Sequence, residues 1–131
     1  MRVFIADPRA AIRAALTIFL EQEPGLQIVG EASDGAEFLP RLAETRPDVV
    51  LLEWELLTAP LADVLADMRA QKLYPWVILL SSRPEVQQAA LAAGADAFAS
   101  KAELPGRLLA RLRSIALISD APRAEVAMRA G

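Results

Sequence analysis

The sequence predicts one α/β domain, with a five-stranded parallel sheet that carries helices on both faces. Five short apolar runs alternate with five longer stretches rich in alanine and leucine, an alternation typical of repeated β-α units. The three middle runs are almost uniformly apolar, as strands covered on both faces are. The length of 131 residues suits a single domain with one buried core. Right-handed crossovers between successive strands then place helices on both sides of the sheet.

The individual elements follow from the same pattern. The predicted strands cover residues 3–6, 26–30, 49–52, 77–80 and 95–99. The predicted helices cover residues 8–22, 34–45, 60–71, 84–93 and 105–118. In the first helix, an apolar stripe with helical spacing is formed by Ile12, Leu16, Phe19 and Leu20. The repeat ends near residue 119, so we expect a domain over residues 1–118 and a tail or linker over residues 119–131.

Proline and glycine support these boundaries. Pro24 and Gly25 separate the first helix from the second strand, and Gly94 stands where a helix would end in a left-handed residue. Pro105 suits the first turn of the last helix. Pro40 falls inside the second predicted helix, so we expect it to kink that helix or to shift its start.

Composition excludes several classes of function. The net charge of −3 and the pI of about 5.0 give no electrostatic footprint for nucleic acid. The absence of cysteine and histidine removes thiolate chemistry and the commonest general base and metal ligand. No segment resembles a signal peptide or a membrane span. We therefore expect a cytoplasmic domain that does not bind nucleic acid by itself and does not enter a membrane.

Four polar residues stand at the carboxyl ends of predicted strands, where open α/β sheets form their sites. They are Asp7 after the first strand, Glu53 after the third, Ser81 after the fourth and Lys101 after the fifth. Two acids, a hydroxyl and an ammonium group on one rim make a selective pattern. The alternative is that polar residues simply occur where strands end.

These positions and the segments around them resemble the receiver domain of two-component response regulators. The resemblance covers roughly residues 2–118 and is carried by residues 3–7, 31–35, 46–52, 77–82 and 92–101. The order and spacing are most similar to receivers joined to a helix-turn-helix output domain. The resemblance implies a flavodoxin-like fold with strand order 2-1-3-4-5.

The resemblance also implies roles for the rim residues. In the family, an acid pair after strand one and an aspartate after strand three hold Mg²⁺, and that aspartate accepts the phosphoryl group. Here Asp7 matches the first acid, Pro8 takes the place of the second, and Glu53 takes the place of the phospho-acceptor. Ser81 and Lys101 match the hydroxyl and the lysine that bind the phosphoryl group.

These departures predict a loss of phosphotransfer. Pro8 has no side-chain ligand atom, so Mg²⁺ binding should be greatly weakened. The carboxylate of Glu53 is displaced by one C–C bond, and a misplacement of ~1 Å can lower a rate on the order of 100-fold. The position of the switch aromatic, often tyrosine in the family, is Phe98. We therefore expect no catalytic residue, no metal and no cofactor.

The longer side chain of Glu53 suggests a specific arrangement. We expect it to reach toward Lys101 and Ser81 as an internal mimic of the phosphoryl group. The alternative is that Glu53 points to solvent while Lys101 pairs only with Asp7.

Three further features are open to two interpretations. Trp54 is either a lid or partner anchor, or a residue that packs against neighbouring loops. Glu55 either adds a carboxylate to the rim or faces water. In the last helix, Leu109, Leu117 and Ile118 widen the apolar stripe beyond one face, which favours a covered surface.

The function predicted from these observations is that of an atypical receiver, which acts as a protein-interaction module without phosphorylation and is not an enzyme. Its partner is another protein or a second copy, with helices four and five or helices one and five as the surface. One alternative keeps switching by a histidine kinase or another ligand. Another is the receiver part of a DNA-binding transcriptional regulator. The least favoured is a small metal-dependent hydrolase that uses Asp7 and Glu53.

Overall fold

The computed structural model describes residues 1–118, which form five strands and five helices. The strands are β1 (Arg2–Ala6), β2 (Gln27–Ala32), β3 (Val49–Glu53), β4 (Trp76–Ser81) and β5 (Ala97–Ser100). The helices are α1 (Ala10–Glu21), α2 (Gly35–Thr45), α3 (Leu61–Ala70), α4 (Val86–Ala93) and α5 (Gly106–Ile118). Two short 3₁₀ turns, Trp54–Leu56 and Lys101–Glu103, follow β3 and β5.

All neighbouring strands of the sheet are parallel, in the order β2-β1-β3-β4-β5. This confirms the predicted fold class and strand order. The chain moves outward from β1 to β2 and then returns to pair β3 with the other side of β1. The reversal opens a crevice at the carboxyl ends of β1 and β3, which is where sites form in sheets of this kind.

The core consists of two apolar layers, one on each face of the sheet. Successive residues of a strand point to opposite faces, so Val50 and Leu52 belong to one layer while Val49 and Leu51 belong to the other. The first layer contains side chains from α2, α3 and α4, and the second contains side chains from α1 and α5. Both faces of β3 are therefore buried, which explains its uniformly apolar sequence.

Several predicted boundaries were wrong by one or two residues. The fifth strand begins at Ala97 because Ala95 takes part in the turn that follows α4, where its N–H group donates to the carbonyl of Ala90. Gly94, at φ +118°, ends that helix in the predicted left-handed conformation. The last helix begins at Gly106, and the carbonyl of Pro105 accepts the hydrogen bond of Leu109 at 3.2 Å.

Pro40 lies within α2 and does not shift the start of that helix. Asp34 fixes the start instead, since its Oδ1 atom accepts a hydrogen bond of 2.8 Å from the N–H group of Glu37. A proline at this position removes its own hydrogen bond to the carbonyl of Ala36, and its ring crowds that carbonyl. Of the two expected effects, the shift of the helix start was wrong, and the kink stays a prediction.

The C-terminal segment 119–131, predicted to be a tail or linker, and the side chain of Ile118 lie outside the described residues. Over residues 1–118, no helix has the length and apolar character needed to cross a membrane.

Candidate functional site

The carboxyl edge of the sheet carries the four polar side chains singled out in the sequence. Asp7 directly follows β1, Glu53 ends β3, Ser81 ends β4 and Lys101 directly follows β5. Asp7, Glu53 and Ser81 are 1%, 0% and 1% exposed. Buried charges require compensation by charges of opposite sign or by hydrogen bonds, so the partners of the two acids decide what this edge can do.

Lys101 supplies the compensating charge for both acids. Its Nζ atom lies 2.5 Å from Oδ2 of Asp7 and 3.2 Å from Oε1 of Glu53. Only 9% of the lysine side chain is exposed, so solvent screens these contacts weakly. The alternative, in which Glu53 points to solvent, was wrong, because a single ammonium group draws both carboxylates inward.

Glu53 is also held by the backbone that follows it. Its Oε2 atom accepts a hydrogen bond from the N–H group of Glu55, in the 3₁₀ turn Trp54–Leu56. Its Oε1 atom is buried and accepts no hydrogen bond within the described part of the chain. That oxygen therefore relies on the charge of the cations around it.

Ser81 does not take part in this ion pairing. Its Oγ atom accepts a hydrogen bond of 3.1 Å from the N–H group of Arg83, and the described residues include no hydrogen bond between Ser81 and Glu53. The expected reach of Glu53 is therefore confirmed for Lys101, and it includes no hydrogen bond to Ser81 because the carboxylate is held by Glu55 and Lys101.

Arg9 is a site residue that the sequence reasoning missed. Its guanidinium group lies 3.8 Å from Oδ1 of Asp7, 3.6 Å from Oε1 of Glu53 and 3.7 Å from Oε2 of Glu55. Oδ1 of Asp7 also accepts a hydrogen bond of 2.8 Å from the N–H group of Arg9. The sequence signal that could have identified Arg9 is its position two residues after Asp7, at the start of a predicted helix.

The donor set at this edge does not fit Mg²⁺. Pro8 offers no ligand atom, and Lys101 and Arg9 already face the carboxylates of Asp7 and Glu53. Among the residues that the structure describes, no group of three or more acidic, cysteine or histidine side chains has a metal-binding arrangement. Mg²⁺ requires nearly octahedral oxygen ligands, and two cations among the available oxygens work against that geometry.

The aromatic residues near the edge belong to the core. Phe98 is 6% exposed, within the layer that α2, α3 and α4 cover. Trp54 is partly buried and packs against the same layer, which is the packing interpretation of that residue. Glu55, by contrast, keeps 52% of its side chain exposed while it faces Arg9.

Arg13 supports the turn that presents Asp7. Its Nη1 atom donates a hydrogen bond of 2.8 Å to the backbone carbonyl of Asp7, and its Nε atom lies 3.2 Å from Oε1 of Glu31. The side chain thus ties the β1–α1 turn to the end of β2 and fixes the backbone from which the Asp7 carboxylate projects.

The chain is similar to known proteins over most of its length. The family model described as "Response regulator receiver domain" matches residues 3–113. A protein-glutamate methylesterase/protein-glutamine glutaminase from Methanospirillum hungatei is 32% identical over 91% of this chain, but this chain spans only 38% of that protein's length.

Two solved structures have closely similar folds. The receiver domain of the putative response regulator NarL from Mycobacterium tuberculosis is 29% identical, with a TM-score of 0.76, and the match covers 88% of this chain and 94% of that one. A chain in the structure of the P1 domain of CheA3 in complex with CheY6, from R. sphaeroides, is 25% identical, with a TM-score of 0.74 and coverage of 88% and 96%.

Proposed function

Because the chain belongs to the response regulator receiver domain family, we propose that it is an atypical receiver that presents a protein-binding surface without being phosphorylated. Receiver domains pass signals through contacts with other proteins. We call the buried group formed by Asp7, Glu53 and Lys101 the pocket. In this chain the fixed arrangement of the pocket, rather than a phosphoryl group, would set the contact surface.

The observation that carries this proposal is the buried contact between Glu53 and Lys101. The resemblance assigns Glu53 to the phospho-acceptor position and Lys101 to a phosphoryl-binding position. Here the two residues neutralise each other at 3.2 Å, with Asp7 as a further partner of the lysine. An incoming phosphoryl group would have to displace a carboxylate from Lys101 in a weakly screened site.

The chemistry of phosphotransfer is disfavoured for a second reason. A carboxylate nucleophile must be aligned with the phosphorus atom, and the developing charge must be neutralised by cations. One oxygen of Glu53 is held by the N–H group of Glu55 and the other faces Lys101 and Arg9. Both oxygens are thus turned toward internal partners, so we propose that the domain has no enzymatic activity of its own.

We further propose that the partner is a protein or a second copy of this chain. One of the similar chains comes from the structure of the P1 domain of CheA3 in complex with CheY6, which supports a protein partner. Two large apolar side chains, Ile18 on α1 and Leu117 on α5, are 65% and 83% exposed. They favour a surface on the α1 and α5 side, and replacement of either by glutamate should lower self-association measured by sedimentation velocity.

The direct test uses acetyl phosphate and beryllofluoride, a phosphoryl mimic. The protein should acquire no covalent label from acetyl phosphate with Mg²⁺, while a receiver with an aspartate acceptor is labelled in parallel. Trp54 fluorescence, read in a Trp76→Phe variant, should show no saturable change when Mg²⁺ and beryllofluoride are added together. A saturable response that requires Mg²⁺ would show a working switch and contradict the proposal.

The role of the buried pair is tested separately with Glu53→Gln. If the charge of Glu53 sets the conformation of the neighbouring surface, NMR shifts should change across α4 and β5 as well as around residue 53. The control is Glu55→Gln, which removes a half-exposed carboxylate nearby and should cause only local changes. Unchanged shifts in α4 and β5 would contradict the idea of an internal phosphoryl mimic.

A further inference from the structure

We propose that Arg9 is a resident cation of the pocket, and that its guanidinium group keeps divalent cations away from the carboxylates of Asp7, Glu53 and Glu55. This inference rests on the proposed function, in which the pocket works without a bound metal. It adds the residue responsible and predicts which single substitution restores cation binding.

The geometry places one guanidinium group opposite three carboxylates. Arg9 lies 3.8 Å from Oδ1 of Asp7, 3.6 Å from Oε1 of Glu53 and 3.7 Å from Oε2 of Glu55. Asp7 directly follows β1, Glu53 is the last residue of β3, and Glu55 lies in the 3₁₀ turn after it. Arg9 therefore bridges the ends of β1 and β3 on either side of the crevice.

These distances indicate electrostatic contacts rather than hydrogen bonds. Hydrogen bonds between nitrogen and oxygen are usually 2.7–3.2 Å long, and all three contacts are longer. The guanidinium group carries a permanent charge spread over a plane. It can lower the repulsion among several carboxylates at once without being fixed to any one of them.

The charge balance shows why Lys101 alone does not neutralise the three carboxylates. The three carboxylates carry three negative charges, and Lys101 contacts only Asp7 and Glu53. The recorded ion pair of Glu55 is with Arg9. Without Arg9, two negative charges in excess of the lysine would face the crevice.

A second observation points to the same space. Oε1 of Glu53 is buried, accepts no hydrogen bond among residues 1–118, and is directed at Arg9 and Lys101. A buried, unsatisfied oxygen costs free energy unless a cation or donor lies near it. Carboxylate oxygens are the preferred ligands of hard divalent cations. Asp7, Glu53 and Glu55 are not in a metal-binding arrangement while Arg9 is among them, so we expect loss of the guanidinium to let these carboxylates turn toward a divalent cation.

Arg9 can be replaced without disturbing the core. Its side chain is 49% exposed and forms no capping hydrogen bond at the start of α1. The variant to test is Arg9→Gln. Its matched control is Arg113→Gln, which also removes one positive charge but breaks the exposed contact with Glu23.

The experiment is a Mn²⁺ titration of the full chain, read by the electron paramagnetic resonance signal of free Mn²⁺ and by calorimetry. We expect saturable, one-to-one binding to Arg9→Gln, and no saturable binding to the unmodified protein or to Arg113→Gln. In Arg9→Gln, a further Glu55→Gln substitution should weaken Mn²⁺ binding by about tenfold or more, because it removes a ligand of the new site.

Two outcomes would overturn the inference. One is that Arg9→Gln binds Mn²⁺ no better than the unmodified protein, with circular dichroism showing that it is folded. The other is that Arg113→Gln gains the same affinity, which would make the effect one of net charge. If Arg9→Gln does not fold, Arg9→Ala and Arg9→Met provide the same test.

Failure here is distinguishable from failure of the proposed function. If Arg9→Gln binds no Mn²⁺ and the unmodified protein takes no label from acetyl phosphate, the role of Arg9 is overturned and the proposed function stands. Labelling of the unmodified protein overturns the proposed function whatever the Mn²⁺ titration gives.

Discussion

The Nζ atom of Lys101 lies 3.2 Å from Oε1 of Glu53, and the two side chains are 9% and 0% exposed. The contact joins the end of β3 to the residue after β5, across the intervening strand β4. A charge pair so deeply buried is a poor source of net stability, but it is costly to break on one side only. The pair therefore holds the pocket in one arrangement.

Replacement of Lys101 by methionine should be strongly destabilising. Asp7 and Glu53 would then remain buried as two like charges without the ammonium group, and removal of one partner of a buried pair typically costs about 3–5 kcal/mol. Urea unfolding at neutral pH measures the change. The control is Lys72→Met, at an exposed lysine, and equal stability of the two variants would contradict the importance of the pair.

Gly94→Ala should destabilise the domain. The residue has φ +118°, and an added Cβ would lie 3.0 Å from Cδ1 of Leu65. The left-handed backbone alone costs an L-residue about 1–2 kcal/mol. Gly106→Ala is the matched control, since nothing lies within 4 Å of its added Cβ, and thermal unfolding should show a clear loss for residue 94 only.

Asp34→Ala should weaken the start of α2. The carboxylate accepts the hydrogen bond of the Glu37 N–H group at 2.8 Å, and loss of such a cap costs about 0.5–2 kcal/mol. Asp67→Ala removes the same charge at an exposed position inside α3, away from the start of that helix. Chemical unfolding that ranks the two variants equally would contradict the capping role.

Glu37 should contribute to the acid sensitivity of the domain. Hydrogen bonds from the N–H and hydroxyl groups of Ser33 to Oε2 lower the pKa of the Glu37 carboxyl below its usual value of 4.5, with a smaller contribution from Arg41. A lowered pKa in the folded state means that the ionised form stabilises the fold above the unfolded pKa. That stability is lost as the pH falls through the folded value.

The measurement is the free energy of unfolding of Glu37→Gln between pH 7 and pH 3. The variant should be less stable than the unmodified protein at pH 7, and the difference should shrink at the acid end. Glu44→Gln, on the same helix, is the control, because it removes an equal charge and leaves the Ser33 hydrogen bonds in place. A difference that does not change with pH would contradict the assignment.

The fold could be predicted because its signals are local. The uniform apolar run of β3, Val49–Glu53, reflects burial on both faces, and Gly94 marks the end of α4 through its own backbone preference. Strand ends were predicted less well, as at β5, where a single hydrogen bond between Ala95 and Ala90 decides whether a residue belongs to the helix cap or to the strand.

The sequence by itself determined which chemical groups stand at the carboxyl edge of the sheet, because the alternation of elements assigns Asp7, Glu53, Ser81 and Lys101 to strand ends. Only the tertiary structure decided how these groups pair. Lys101 and Asp7 are 94 positions apart, and their contact depends on how the strands between them are ordered and packed. Ion pairs depend on atomic distances, which sequence spacing does not specify, so the inward turn of Glu53 and the place of Arg9 among three carboxylates emerge only from the folded chain.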